Sequence, residues 1–414
     1  MTVIDEGDGS AVSFDFNPMV SPYREDPHIF FRQARSRPVA LSPTIGAYMV
    51  SRYADVMTVL HDPTTFSSTE TLPQLYDNPP EAVAELRAGG VPQEGFVTNE
   101  DEPAHAHTRA LFDIAVGGRR IRSLLPLMQQ RADELIDNLG DGPADLVSQY
   151  ATPYVERIVN ALVGFPIEDT ERVRRWTTDF LVMMNPLAPL EDKVAAAREL
   201  GDYTCYLQAL IEERRAYPQD DMISVLVHGA EGLDGVSDDY VHSIVRAAGR
   251  IGGFETTRDL ITATVLLTLQ HPEVREGIGE HPLRTITSAT EETLRRDAPV
   301  RGLFRTATRE VELGGTLLPQ GARLLLLFGS ANRDETVFPD PDAVVLDRPN
   351  AHDHVGFGQG LHVCSGAPLA RAETRIALET LFRRLPGLEL AEDYRPDYTA
   401  DYYFRSLASL RVRW

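Results

Sequence analysis

Helix signals run almost unbroken from Ala104 to Arg296, and the strand-like segments all lie outside that run. Apolar residues recur at helical spacing over Leu124 to Leu139, Tyr154 to Val163, Glu191 to Ala216 and, longest of all, Asp238 to Gln270. Strand-like runs precede it at Val39 to Ser42 and Ala47 to Ser51, and follow it at Val311 to Leu313, Thr316 to Leu318 and Arg323 to Phe328. A sheet made of such segments must draw on both ends of the chain while the middle packs as helices. The pattern predicts a mainly α chain with a smaller β region, an α+β architecture, its β-rich portion at about 38–52, 299–330 and 386–414. Asp26-Pro27 opens an early helix through Phe31, Asp62 to Glu102 reads as a loop-rich segment covering a site, and a last helix is expected from Ala367 to Leu385. With no low-complexity linker, residues 1–414 read as a single domain.

Composition removes several classes of function. A net charge of −22 opposes non-specific nucleic-acid binding and adsorption to anionic membranes, which both require excess Lys and Arg. Asp5, Glu6, Asp8, Asp15, Arg24, Glu25 and Asp26 interrupt the first 30 residues, so neither a signal peptide nor a membrane anchor is expected there. Two cysteines, Cys205 and Cys364, are too few for a disulfide scaffold or a four-cysteine cluster, so a reducing, cytoplasmic location is expected.

The segment from His354 to Gly366 places Cys364 after three alternating glycines, Gly356, Gly358 and Gly360, and just before a helix. Glycine allows positive φ and close backbone approach, as a loop pressed on a flat cofactor requires. A helix N-terminus favours a thiolate, and a thiolate in such a place can ligate iron. Two alternatives stand beside this: a buried cysteine packed as a small hydrophobe, and a zinc set of His352, His354, His362 and Cys364.

Phe357-Gly-Gln-Gly-Leu-His-Val-Cys-Ser-Gly resembles, at all six fixed positions, the haem-thiolate signature of the cytochrome P450 superfamily, with Phe357, Gly358, His362, Cys364 and Gly366 among them. Other segments are similar to that family in the right order. Glu292-Thr-Leu-Arg295 resembles its Glu-x-x-Arg helix motif, and Arg348 stands where its meander ends in an arginine. Gly252-Gly-Phe-Glu255-Thr256-Thr resembles the oxygen-binding motif of its central helix, although glycines at 249, 252 and 253 could also serve close helix packing. His105 and Arg109, four residues apart, resemble the helix that contacts the haem propionates; here Glu102 replaces the first of two prolines that usually follow Asp101. Arg305 resembles the strand arginine that binds a propionate.

The resemblance covers essentially the whole chain and is to soluble bacterial members. It implies a helical prism around a buried haem b, with Cys364 as the axial ligand of the iron, and His105, Arg109, Arg305, Phe357, Gly358, His362 and Gly366 binding the cofactor. Glu255 and Thr256 would relay protons and hold reduced oxygen, and Glu292, Arg295 and Arg348 would support the loop as a buried ion network. The implied activity is a monooxygenase inserting one atom of O2 into a small-to-medium hydrophobic molecule, by hydroxylation, O-demethylation or epoxidation. Electrons would come from a separate ferredoxin and reductase. The protein is expected to be a monomer, with the cluster of Arg109, Arg119, Arg120 and Arg122 meeting the acidic donor. Substrate-pocket positions by this resemblance are Phe96, Val97, Ala248, Ile251, Gly252, Val300, Leu303, Phe304, Tyr403 and Phe404, for each of which core packing is the competing reading. A haem-thiolate sensor without turnover would keep Cys364 and the propionate donors but would not need Glu255 and Thr256; a metal-dependent hydrolase would use the histidines.

Overall fold

The computed structural model describes residues 15–72, 77–92, 97–185 and 188–414. The helical middle is as periodic as its sequence, with Ala104–Ala115, Gly118–Asp137, Thr152–Val163, Leu190–Ala216 and Pro282–Arg296 among its helices. The chemistry of their ends is local. Thr152–Val163 carries Pro153 in its first turn, where a missing N–H costs nothing, and stops at Gly164 with φ 109°. A Cβ on Gly164 would strike the side chain of Asp221. The apolar faces merge into one large cluster in which Tyr150, Tyr154, Ile211, Val245 and Leu378 are fully buried.

The long helical stretch from Asp238 to Gln270 is not uniform. Ala248–Glu255 is wound wider, as a π-helical stretch, between Asp238–Ala247 and Thr256–Gln270. Gly252 and Gly253 sit inside it, where glycine has little preference for the tighter α winding. Gly253 also serves packing, since a Cβ there would lie 3.0 Å from Val159 of the helix Thr152–Val163.

The main sheet has five strands and does join distant parts of the chain, in the order Val39–Ser42, Ala47–Val50, Arg323–Leu327, Gly302–Ala307, Phe66–Ser67. Ala47–Val50 runs parallel to Arg323–Leu327, and the other pairings are antiparallel. The segment 386–414 departs from expectation: Arg411–Arg413 lies between Glu389–Leu390 and Ala144–Asp145 in a separate sheet, so the helical middle supplies one of its strands. Val311–Leu313 and Thr316–Leu318 form a hairpin whose turn residues, Gly314 and Gly315, have φ of 55° and 78°, as a tight right-twisted hairpin demands. The segment expected to be loop-rich contains a helix, Pro80–Ala88, with Pro80 in its first turn and Glu81 beside the helix start.

Candidate active site

The cysteine loop connects a short 3-10 turn, Gly360–His362, to the helix Ala367–Arg384. Its glycines do different jobs. Gly358 and Gly360 have φ of 67° and 70°, conformations that L side chains rarely adopt. Gly360 lets the loop touch the backbone of Leu60, where a Cβ would come within 2.2 Å, and Gly356 does the same against the carbonyl of Leu294. Two of the four glycines therefore pack protein on protein, and the expectation that all serve a flat cofactor is narrowed. A Cβ on Gly366 would lie 3.7 Å from the sulfur of Cys364.

Cys364 is solvent-accessible although protein surrounds it closely. Burial raises its pKa above the usual thiol value, against the backbone N–H groups of Gly366 and Ala367 and the charges of Arg109 and Arg371. The thiol is surrounded by groups that favour a thiolate, and burial alone opposes them. Its own N–H donates to the carbonyl of Phe357 at 2.9 Å.

Leu260 of the central helix shares a small apolar cluster with Leu294, Ala370 and Phe357, which brings that helix to the cysteine loop. One turn earlier, Thr256 donates its hydroxyl hydrogen to the carbonyl of Gly252 at 2.8 Å, leaving the oxygen as an acceptor. Gly252 is exposed while Phe254, Glu255 and Thr257 are buried, so the wide stretch is accessible at Gly252. Glu255 is ion-paired to Arg258, which also donates to Asp259 Oδ1 from Nε at 2.9 Å and Nη2 at 2.7 Å. Asp259 accepts a further bond from Ser406 at 2.5 Å. Two carboxylates share one guanidinium. The pKa of Asp259 is pushed up to about 6 by burial, with Glu255 adding to the effect and Arg258 and Ser406 opposing it. Arg258 and Asp259 had no part in the sequence reading.

His105 and His362 lie with ring centroids 4.2 Å apart, and the Nε2 of each is buried with no protein partner. Glu102, the residue in place of a proline, approaches His105 Nδ1 at 3.4 Å and so holds the ring by its other nitrogen. Burial depresses the pKa of His362 to about 3, helped by Arg305 and His105, so this ring is neutral. Arg305 is buried with Nη1 on Thr71 and on the carbonyl of Phe304, and among the described residues no carboxylate lies within ion-pair distance. Burial draws its pKa down to about 10, offset by Asp101. A buried cation and two orphaned imidazole nitrogens suit an anionic group, as haem propionates would be. Arg109 fits less well than expected, because its Nε is held by Asp113 at 2.9 Å and Nη1 by the carbonyl of Leu361 at 3.3 Å. Ion pairs also engage two more of the anticipated basic cluster, since Arg119 and Arg120 both bind Asp220. Paired charges make a weak docking field.

Glu292 is fully buried and receives Arg295 in a bidentate pair at 2.8 Å, Arg348 at 3.3 Å, and the N–H of Val345 at 3.0 Å. Arg295 and Arg348 use their remaining donors on the carbonyls of Asn332, Pro339, Asp340, Pro341 and Ala343. Asn332, missed in the sequence, carries this lattice to the loop, because its Oδ1 accepts the N–H of Val355 at 2.7 Å.

The anticipated pocket divides. Leu303 and Arg305 alternate with Phe304 along their strand, so Phe304 faces the other way. Phe304, Tyr403 and Phe404 are buried in a cluster with Phe16, Phe30, Met49 and Leu327 and are core residues, a correction to their assignment as pocket walls. Val97, Ala248, Gly252, Val300 and Leu303 retain partial or full exposure. Phe96 and the side chain of Ile251 lie outside the described residues. The zinc alternative does not assemble: His352 and His354 turn to Glu291, and His362 pairs with His105.

A family model described as cytochrome P450 matches residues 202–393. Mycinamicin IV hydroxylase/epoxidase of Micromonospora griseorubida is 36% identical over 351 residues, 83% of either chain. Nocardicin C N-oxygenase of Nocardia uniformis subsp. tsuyamanensis is 32% identical over 414 residues, 98% of this chain and 97% of its own. The crystal structure of the Tepidiphilus thermophilus P450 heme domain matches with a TM-score of 0.89 and 31% identity over 97% of each chain.

Proposed function

Because this chain belongs to the cytochrome P450 family as a monooxygenase that binds haem b, we propose that it oxidises a small-to-medium hydrophobic molecule, with Cys364 as the iron's axial ligand. The oxidation is a hydroxylation, O-demethylation or epoxidation, and the electrons come from a separate ferredoxin and its reductase. The working unit is a cytoplasmic monomer in which residues 1–414 form one catalytic domain. Among the described residues no helix is long and apolar enough to cross a membrane.

The observation that carries the reading is the pairing of an accessible thiol, Cys364, with a set of buried donors that lack an anion: His105 Nε2, His362 Nε2 and Arg305. Haem bound by a thiolate supplies the activation of O2 and the oxidising power. His105, His362 and Arg305 hold its carboxylates. Thr256 offers an accessible hydroxyl oxygen, its hydrogen being given to Gly252, and Glu255 is the neighbouring group that holds and releases a proton. Val97, Ala248, Gly252, Val300 and Leu303 border the substrate and keep water from it.

The test is Thr256→Ala. Substrate affinity and the absorption spectrum stay as in the wild type, while product formed per reductant consumed falls by one to two orders of magnitude, about 1.4–2.7 kcal/mol. An unchanged ratio would remove Thr256 from the mechanism.

A further inference from the structure

The two histidines that suggested a metal set meet on one carboxylate instead. Glu291 lies one residue before the buried Glu292 and accepts Arg371 Nε at 2.6 Å and Nη2 at 2.9 Å. His352 Nδ1 and His354 Nε2 approach the same carboxylate, each at 3.1 Å. The tautomer of His354 follows from its other nitrogen: the N–H of Gly356 donates to Nδ1 at 3.1 Å, so Nε2 carries the hydrogen given to Glu291. Against burial, Arg371 and His354 hold the Glu291 carboxyl well below the usual carboxylate range.

Arg371 is the other half of the arrangement. Its guanidinium lies 4.6 Å from the centroid of the Phe357 ring, and the carbonyl of Phe357 receives the N–H of Cys364. Its charge is felt at the Cys364 sulfur. Glu291 thus joins three segments at once: the helix Pro282–Arg296, the loop 352–364, and the helix Ala367–Arg384 that starts just beyond the cysteine. One cation beside the sulfur is matched by one buried anion.

We propose that Glu291 and Arg371 are positioning residues that set the reduction potential of the iron held by Cys364: Glu291 seats Arg371 on Phe357 and cancels the charge it would otherwise project onto the sulfur. The proposal rests on the haem-thiolate reading above. When ferric iron accepts one electron from the donor protein, the site loses one positive charge, so an unbalanced cation nearby favours the reduced form and an unbalanced anion opposes it.

The two single variants must therefore move the potential in opposite directions. Glu291→Gln leaves Arg371 unbalanced and raises it; Arg371→Met leaves Glu291 unbalanced and lowers it; the double variant returns close to wild type. The expected size is on the order of tenfold in the reduced-to-oxidised ratio at fixed poise, about 59 mV for one electron. The measurement is a spectroelectrochemical titration of the haem-loaded protein, with the reduced carbon-monoxide spectrum recorded for each variant. Shifts of the same sign, or no shift in variants that keep the thiolate spectrum, overturn the proposal. If Glu291→Gln fails to accumulate, Arg371→Lys serves in its place, since it keeps the charge but loses the two-pronged pairing and the flat contact with Phe357. A potential near wild type with a reduced fraction of thiolate-ligated protein supports charge balance as the cause, and a fall as large as that of Arg371→Met refutes it. A wild type without the red-shifted carbon-monoxide band would instead remove the haem-thiolate reading itself.

Discussion

The cysteine side of the site and the propionate side differ in how far the protein satisfies its own charges. Behind the cysteine loop, Glu292 is met by two arginines and a backbone N–H, and Glu291 by an arginine and two histidines. On the other side Arg305 has no carboxylate within reach among the described residues, and His105 and His362 each leave a buried nitrogen bare. The first region is complete as folded. The second is short of an anion, and the buried cation costs free energy until one arrives. Scaffold and receptor can thus be told apart by counting partners.

Removing a partner from the complete side should have the largest effect. Glu292→Ala strands Arg295 and Arg348 in a dry interior and is expected to lower the unfolding free energy by about 3–5 kcal/mol, read from urea melts of the haem-loaded protein. A loss of under about 1 kcal/mol would show that the two arginines are satisfied by carbonyls alone.

The central helix sharpens the comparison from the opposite direction, because there the surplus is anionic, with Glu255 and Asp259 sharing Arg258. Asp259 is raised to about 6 in the fold, above its ordinary value, so the folded chain binds this proton more tightly than the unfolded one. Its contribution is present below about pH 4 and is lost as pH rises through 6. Between pH 4 and 7 the wild type should therefore lose up to about 3 kcal/mol more stability than Asp259→Asn. Parallel pH–stability curves would place Asp259 back at an ordinary carboxylate value.

The smallest effect belongs to the incomplete side. Arg305→Met removes an uncompensated cation, so secondary structure and folding are spared while the haem loses a charged hydrogen bond of about 1.5–3 kcal/mol. Transfer of haem to an acceptor globin should quicken by about one to two orders of magnitude. Slower folding with unchanged haem transfer would reverse the distinction between the two sides.

The sequence made the cysteine loop legible because six fixed residue types fall within ten positions, and it made Glu292, Arg295 and Arg348 legible by their order. Glu291 escaped notice because its partners stand 61, 63 and 80 residues away, and nothing local distinguishes it from the neighbouring glutamate. Phe304 is placed in the pocket by its position after the Glu-x-x-Arg helix, although the two-residue period of the strand could have separated it from Leu303. Tyr403 and Phe404 could not be sorted from sequence, since their burial depends on Phe16 and Phe30, which come from the other end of the chain.

The sequence distances along these bonds also set an order of assembly. Contacts of Glu291 and Glu292 with the loop, meander and last helix close spans of 53 to 80 residues within the C-terminal part of the chain. The receptor side must gather Thr71 with Arg305 across 234 residues and Arg109 with Leu361 across 252. Each doubling of a loop adds about 0.6 kcal/mol of closure entropy, so the short spans are favoured to close first. The thiol's support would then be in place before the cradle for the propionates, and the cofactor would meet a chain already holding its sulfur but still open at its rim.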